Sequence, residues 1–100
     1  MRPIVLRPEA EGSGLWTPQG DPISVGELPL SDRVVAALAD WVSFFRELDG
    51  DLEDPQVLHE FISQGYKIGH GIRRELKGST VWLHRVDTGE LVSIELRRPR

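Results

Sequence analysis

The stretch that decides the fold runs from Ser31 to Lys77, SDRVVAALADWVSFFRELDGDLEDPQVLHEFISQGYKIGHGIRRELK. Its apolar residues recur at helical spacing on both sides of an acidic interruption. Advancing about 100° per residue from Val34 places Val34, Val35, Ala37, Leu38, Trp41, Val42, Phe44, Phe45 and Leu48 on one half of a cylinder. Asp40, Ser43, Arg46 and Glu47 fall on the other half. An arc that wide is more than one neighbour covers, so this helix is expected between a sheet and a second helix, at the centre of the core.

The second apolar arc is narrower and carries Val57, Leu58, Phe61, Ile62, Gly65, Ile68, Gly69, Ile72 and Leu76. Glycine costs about 1 kcal/mol relative to alanine inside a helix. Gly65 and Gly69 on the apolar side therefore predict either another backbone approaching closely, under Trp41 or Phe45, or a local break in the helix.

The ends of both helices are marked. Ser31 is the expected N-cap of the first, Asp32 puts negative charge at the positive end of its dipole, and Gly50 supplies a left-handed stop. Asp54 caps the second, Pro55 takes the first helical position, and Gly78 ends it after Arg73, Arg74 and Lys77. The spacing predicts helices over 31–49 and 55–77.

Beyond them, Thr80–Val86 is β-branched and aromatic, and Leu91–Leu96 alternates with Val92, Ile94 and Leu96 on one side. Asp87-Thr88-Gly89-Glu90 between them makes a turn with a left-handed glycine, which predicts a β-hairpin over 80–96 and leaves 97–100 as a basic tail. At the other end of the chain, Pro3–Pro8 is a short apolar run bracketed by prolines and reads as an edge strand. The Gly- and Pro-rich loop that follows, to residue 28, has Leu15 and Trp16 as its large apolar pair, either a short second strand or a lid over the core. The expected fold is one α+β domain spanning 1–100. It is a two-layer sandwich in which a small, mainly antiparallel sheet is covered by an antiparallel helix pair, in the order β-(β)-α-α-β-β.

Composition agrees with that class. The 39% apolar and 28% charged residues suit a globular chain. There is no cysteine, hence no thiolate metal site, disulfide or cysteine nucleophile. No apolar h-region follows the first residues, and the longest apolar run, Val34–Ala39, is far shorter than the roughly 20 residues of a membrane span. A cytoplasmic protein without a membrane segment is expected. The net charge of −4 is unevenly spread: four Arg against twelve acids in residues 1–60 give −8, and eight Lys and Arg against four acids in 61–100 give +4.

Two groups of residues are candidates for partner contact. The first is the acidic corner Glu47, Asp49, Asp51, Glu53 and Asp54, where dense charge could speed and select association with a basic protein surface. Counted as a calcium loop from Asp49, it offers oxygen ligands, yet Asp54 stands where the sharp turn needs glycine and Pro55 follows. The second is the seam His59, Tyr66, His70, Arg73 and Lys77 along one side of the second helix, with Tyr66 as its aromatic anchor. Amphipathic residues bordering a core would look the same. His59 and His70 stand about 16 Å apart along the helix axis, too far to share a metal ion, so neither metal nor cofactor is expected.

Arg73, Arg74, Lys77, Arg85, Arg97, Arg98 and Arg100 could form a basic face for nucleic acid, although Glu75, Glu90 and Glu95 interrupt it. The serines lack a nucleophile-elbow context, and no carboxylate pair has distinguishable acid and base environments. Leu28-Pro29-Leu30-Ser31, followed by Trp41, Phe45, Phe61, Gly65 and Glu75-Leu76 before a strand, resembles a group of short uncharacterised actinobacterial α+β proteins. The resemblance covers most of residues 28–86. It implies the same helix pair and strand, and brings with it no activity and no site residues. The expected function is a small non-catalytic protein-binding module, either an immunity- or antitoxin-like neutraliser or a homodimer. A nucleic-acid-associated regulator using the basic C-terminal face is the alternative.

Overall fold

The computed structural model describes residues 3–9, 12–48 and 52–95. Strands β1 (Pro3–Leu6) and β2 (Leu15–Trp16) come first, then a single 3-10 turn at Val25–Glu27. Helices α1 (Asp32–Leu48) and α2 (Pro55–Glu75) follow, and strands β3 (Thr80–His84) and β4 (Leu91–Ile94) close the chain. The sheet order is β2-β1-β3-β4. β1 runs antiparallel to β2 and parallel to β3, and β3 runs antiparallel to β4. The result is the α+β two-layer sandwich that the pattern of elements implies, with a mixed sheet in which two of the three pairings are antiparallel.

One placement differs from expectation. β1 is an interior strand, flanked by β2 and β3, and not an edge. Pro3 occupies its first position and Pro8 lies past its end, so the prolines bracket the ladder without removing a donor from its middle. The crossover from β1 to its parallel neighbour β3 is made by the helix pair, as a parallel connection requires.

The helix-facing side of the sheet carries Ile4, Leu6, Val81, Leu83 and Ile94, each 2% exposed or less. The period-2 alternation turns Val5, Trp16, Trp82 and Ser93 to the opposite face, where register places them in one row across the four strands.

The helices pair antiparallel. Ser31 meets Glu75 at one end of the pair, a Cβ on Gly71 would touch Val34, and Trp41 stacks on Phe61 at 4.9 Å towards the other end. The Trp41 indole N–H also donates to the Phe61 carbonyl at 2.9 Å, and Phe44 and Phe45 tilt against the Phe61 ring at 6.0 and 5.8 Å. Such aromatic contacts contribute about 0.5–1.5 kcal/mol each beyond their buried area.

α2 is unbroken across its glycines, and they explain how closely it sits on the sheet. A Cβ at Gly65 would stand 3.0 Å from Leu83 and 3.1 Å from Trp41; at Gly69 it would stand 2.9 Å from Ile94. The close partners are therefore side chains from the sheet and α1, not a backbone. This corrects the expectation that α1 lies between the sheet and α2: α2 presses its glycines directly onto β3 and β4. α1 buries Val34, Leu38, Trp41 and Val42, and its Leu38 and Val42 pack onto Gly14 at the start of β2.

The ends follow the expected chemistry. The Ser31 hydroxyl accepts from Val34 N at 3.3 Å, and the Asp54 carboxylate accepts from Gln56 N at 2.9 Å. α1 is described to Leu48, with Asp49 and Gly50 outside the described residues, and α2 ends at Glu75, slightly inside the expected limit. The hairpin turn closes through Arg85 N to Glu90 O at 2.9 Å and Gly89 N to Arg85 O at 2.7 Å, with Gly89 at φ +74. No helix among the described residues is long and apolar enough to cross a membrane.

Candidate functional site

The acidic corner is described only in part. Glu47, Glu53 and Asp54 are exposed, but the Asp54 carboxylate is committed to capping α2. Asp49 and Asp51 lie outside the described residues. Leu52 turns inward and packs against the core. With Arg7, Phe45, Leu58, His84 and Glu53 it lines an open cavity of about 480 Å³ where β1 and β3 end. Arg7 lies there with Nε 2.9 Å from Glu9 Oε1 and its guanidinium 4.8 Å above the Trp16 ring. His84 Nδ1 is buried and unpaired among the described residues. Glu53 of the corner thus lies at a cavity that also holds Arg7 and Glu9. Sequence spacing could not show this, because the parallel β1–β3 pairing brings Arg7 and His84 together and Glu53 joins them from the segment before α2.

The helix seam is a continuous feature. Turning α2 by about 100° per residue puts Ile62, Tyr66 and Arg73 on the side of Gly69, the residue that rests on Ile94 of β4. Glu75 and Gly71, which meet α1, fall on the other side. His59 and His70 lie just outward of Tyr66. The seam therefore stands above the outer edge of β4. Tyr66, His70 and Arg73 are half-buried, whereas His59 and Lys77 are exposed. Arg73 is steadied by donating to the Ser79 carbonyl at 2.7 Å.

Tyr66 reaches towards Arg85, whose pKa is raised above its ordinary value chiefly by the Asp87 carboxylate, with the Tyr66 hydroxyl adding to the effect. Arg85 grips that carboxylate at 3.0 and 2.7 Å, and the same pair of bonds lowers the Asp87 pKa. Glu75 is also lowered, first by the Ser31 hydroxyl and then by the Ser31 backbone N–H, each at 2.6 Å. All three shifts arise from local bonds that hold the fold together.

Beside the seam lies what the sequence reading passed over. β4 is the last strand of the sheet, and among the described residues no backbone group pairs with its outer side. Arg85 and Glu90 form a hydrogen-bonded pair. In an antiparallel ladder such pairs alternate with non-bonded ones, so Leu91 and Ser93 direct their N–H and C=O outward. Leu91 is 55% exposed, the one large apolar side chain so exposed among the described residues. Part of the signal was present in the sequence: the alternation that assigns Val92 and Ile94 to the core leaves Leu91 on the outside, although the place of β4 at the end of the sheet was not.

No group of three or more metal-ligating side chains converges among the described residues. Compared with models of known protein families and with curated proteins, the chain matches none.

Proposed function

We propose that this chain is a small non-catalytic protein-binding module whose contact surface is the outer edge of β4 together with the α2 flank above it. The observation that carries the reading is the unpaired edge itself. A row of outward N–H and C=O groups beside an exposed leucine is a ready template for another strand. The seam residues Tyr66, His70 and Arg73 supply side-chain contacts next to it, with His59 and Lys77 at its margin. Of the acidic corner, Glu47 and Glu53 would act as a secondary, steering charge.

An immunity- or antitoxin-like neutraliser, or a homodimer, is the form of such a module that the composition suits, and the absence of cysteine suits a cytoplasmic setting. Nucleic-acid binding is the weaker reading. Among the described basic residues, Arg85 is already neutralised by Asp87 and Arg73 is bonded to Ser79, which reduces the cations available for phosphate.

The test combines light scattering in solution with affinity capture from the source cells, using the wild-type chain and Leu91→Lys. A discrete partner, or a second copy, retained by the wild type and lost by the variant is the expected result. A monomer that captures nothing would remove the proposal.

A further inference from the structure

The position of α2 over the open edge limits what can cover both. A Cβ on Gly65 would touch Leu83 of β3, and one on Gly69 would touch Ile94 of β4, so the helix lies over the gap between these two strands. Neighbouring strands stand about 4.8 Å apart. If β4 pairs with β4 of a second copy about a two-fold axis, each α2 lies roughly one strand spacing from that axis. The two helices then run antiparallel about 10 Å apart, the separation at which helices pack. One symmetric contact would pair the bare edge and also cover the half-buried flank of Ile62, Tyr66, His70 and Arg73. A lone strand from another protein would pair the edge and leave that flank open.

The register follows from the groups that point outward. Centring the axis on Val92 sets Leu91 opposite Ser93 of the second copy, and Ser93 opposite its Leu91, so that both outward residues form bonded pairs. Val92 then meets its own image on the helix side, in a non-bonded pair. Leu83, the β3 neighbour of Val92, lies under Gly65, so the axis passes beside Tyr66 and brings the two tyrosines together. On the open face the two Leu91 side chains become diagonal neighbours. Charge stays at the rim and like charges do not meet. The Glu90 end of one strand lies below the Arg73 end of the other copy's helix, and Glu95, on the open face, falls opposite Gly89. An aromatic and apolar centre within a polar rim is the usual build of a protein interface.

We infer, resting on the protein-binding reading, that the partner at this edge is a second copy of the chain, paired β4 to β4 about an axis at Val92 with α2 against α2. β4 is only four residues long, so the contact belongs to the small class that buries less than about 1,200 Å², with a dissociation constant on the order of 10–100 µM. In the dilute chain of an unfolding measurement the copies are therefore apart. Sedimentation velocity of the full chain, from micromolar to millimolar concentration, should show a reversible passage from monomer to dimer. Amide NMR shifts that move on dilution should gather at 91–95 and 62–73 together.

The chain has no cysteine, so a single introduced one can bond only that of another copy. Val92→Cys would stand about 4.5 Å, Cα to Cα, from its own image, within reach of a disulfide. With oxidised glutathione as oxidant it should crosslink at least about tenfold faster than Lys67→Cys, on the solvent side of α2. Ser93→Pro removes an outward N–H from each copy and should weaken self-association at least about tenfold, with circular dichroism and the thermal midpoint checking that the fold survives. If Ser93→Pro unfolds, the crosslinking rates decide alone. A wild type that stays monomeric at millimolar concentration, equal crosslinking by the two cysteine variants, or dilution shifts gathered on Val5, Trp16 and Trp82 would overturn the inference. A monomer that still captures a cellular protein, lost on Leu91→Lys, would remove the second copy and leave the protein-binding reading in place. A monomer that captures nothing removes both.

Discussion

The two edges of the sheet are finished in opposite ways. At β2 the chain doubles back: Ile23 N donates to Leu15 O at 2.8 Å, Pro22 bridges to Trp16, and the Ser13 hydroxyl donates to Ile23 O at 2.6 Å. The proline has no N–H to offer outward, and Leu15 and Ile23 are sealed at 0% and 1% exposure. At β4 no described segment returns, and Leu91 stands out in solvent. The flanks of α2 show the same contrast. Towards α1 it is fastened by the Ser31–Glu75 bonds and the Trp41–Phe61 stack, whereas the side above β4 has no described element beyond it. A chain that closes one edge with a proline and leaves the other bare has a side suited to contact, and the differences between the two sides can be tested.

The largest expected effect is at the closed edge. Leu15→Ala empties a fully enclosed position and should cost about 3 kcal/mol in denaturant unfolding. A loss below about 1 kcal/mol would mean that the doubled-back segment gives way easily and that the β2 edge is no better sealed than β4.

The glycines of α2 give a smaller contrast along the same axis. Gly65→Ala places a methyl 3.0–3.1 Å from Leu83 and Trp41, and Trp41 is held by both its stack and its hydrogen bond. The strain should outweigh the roughly 1 kcal/mol gained in helix propensity, for a net loss of about 1–2 kcal/mol. Gly69→Ala meets only Ile94, on the edge strand, which can yield outward, so its net effect should be smaller. Measured midpoints in the reverse order would place the rigid part of the sheet at β4 instead of β3.

How much of this was legible in sequence follows the same division. Both helices, their caps at Ser31 and Asp54, and the Gly89 hairpin could be read because each rests on local chemistry: apolar period, side-chain acceptors, a left-handed glycine. The interior position of β1 could not. The prolines at 3 and 8 look the same whether they bracket a central strand or blunt an edge, and only the parallel pairing with β3, more than seventy residues on, decides it. The seam on α2 was visible as a helical alignment. That it stands over an unpaired strand was not, because sheet order is a long-range property. The cavity beside the acidic corner was not legible for a related reason, since Arg7 and His84, which line it with Glu53, come from the ends of β1 and β3.

On the fastened flank, the expected effect is on pH dependence. The hydrogen bonds from the Ser31 hydroxyl and backbone N–H hold the Glu75 carboxyl below the ordinary glutamate range. A carboxylate whose folded pKa is lowered stabilises the fold above its unfolded pKa, and that contribution disappears as pH falls through the folded value. Wild type should therefore exceed Glu75→Gln in stability at neutral pH, with the gap narrowing as pH drops below about 4.5. Ser31→Ala, which also removes the N-cap acceptor, should cost about 1 kcal/mol at pH 7. A gap between wild type and Glu75→Gln that does not change with pH would show that the carboxylate's charge does not fasten α2 to α1.

The smallest effect is expected at the open edge. If β4 is bare in solution, Leu91→Lys exchanges one solvated side chain for another, and its unfolding midpoint should move by less than about 0.5 kcal/mol. Lysine on an edge strand also resists further strand pairing, so this variant should lose partner binding while keeping its stability. The two readouts separate the possibilities. A stability loss comparable to that of Leu15→Ala would mean that Leu91 is covered and the two edges are alike. Unchanged stability with unchanged binding would mean that the edge is bare but idle. Only unchanged stability with lost binding fits a strand left open for a partner.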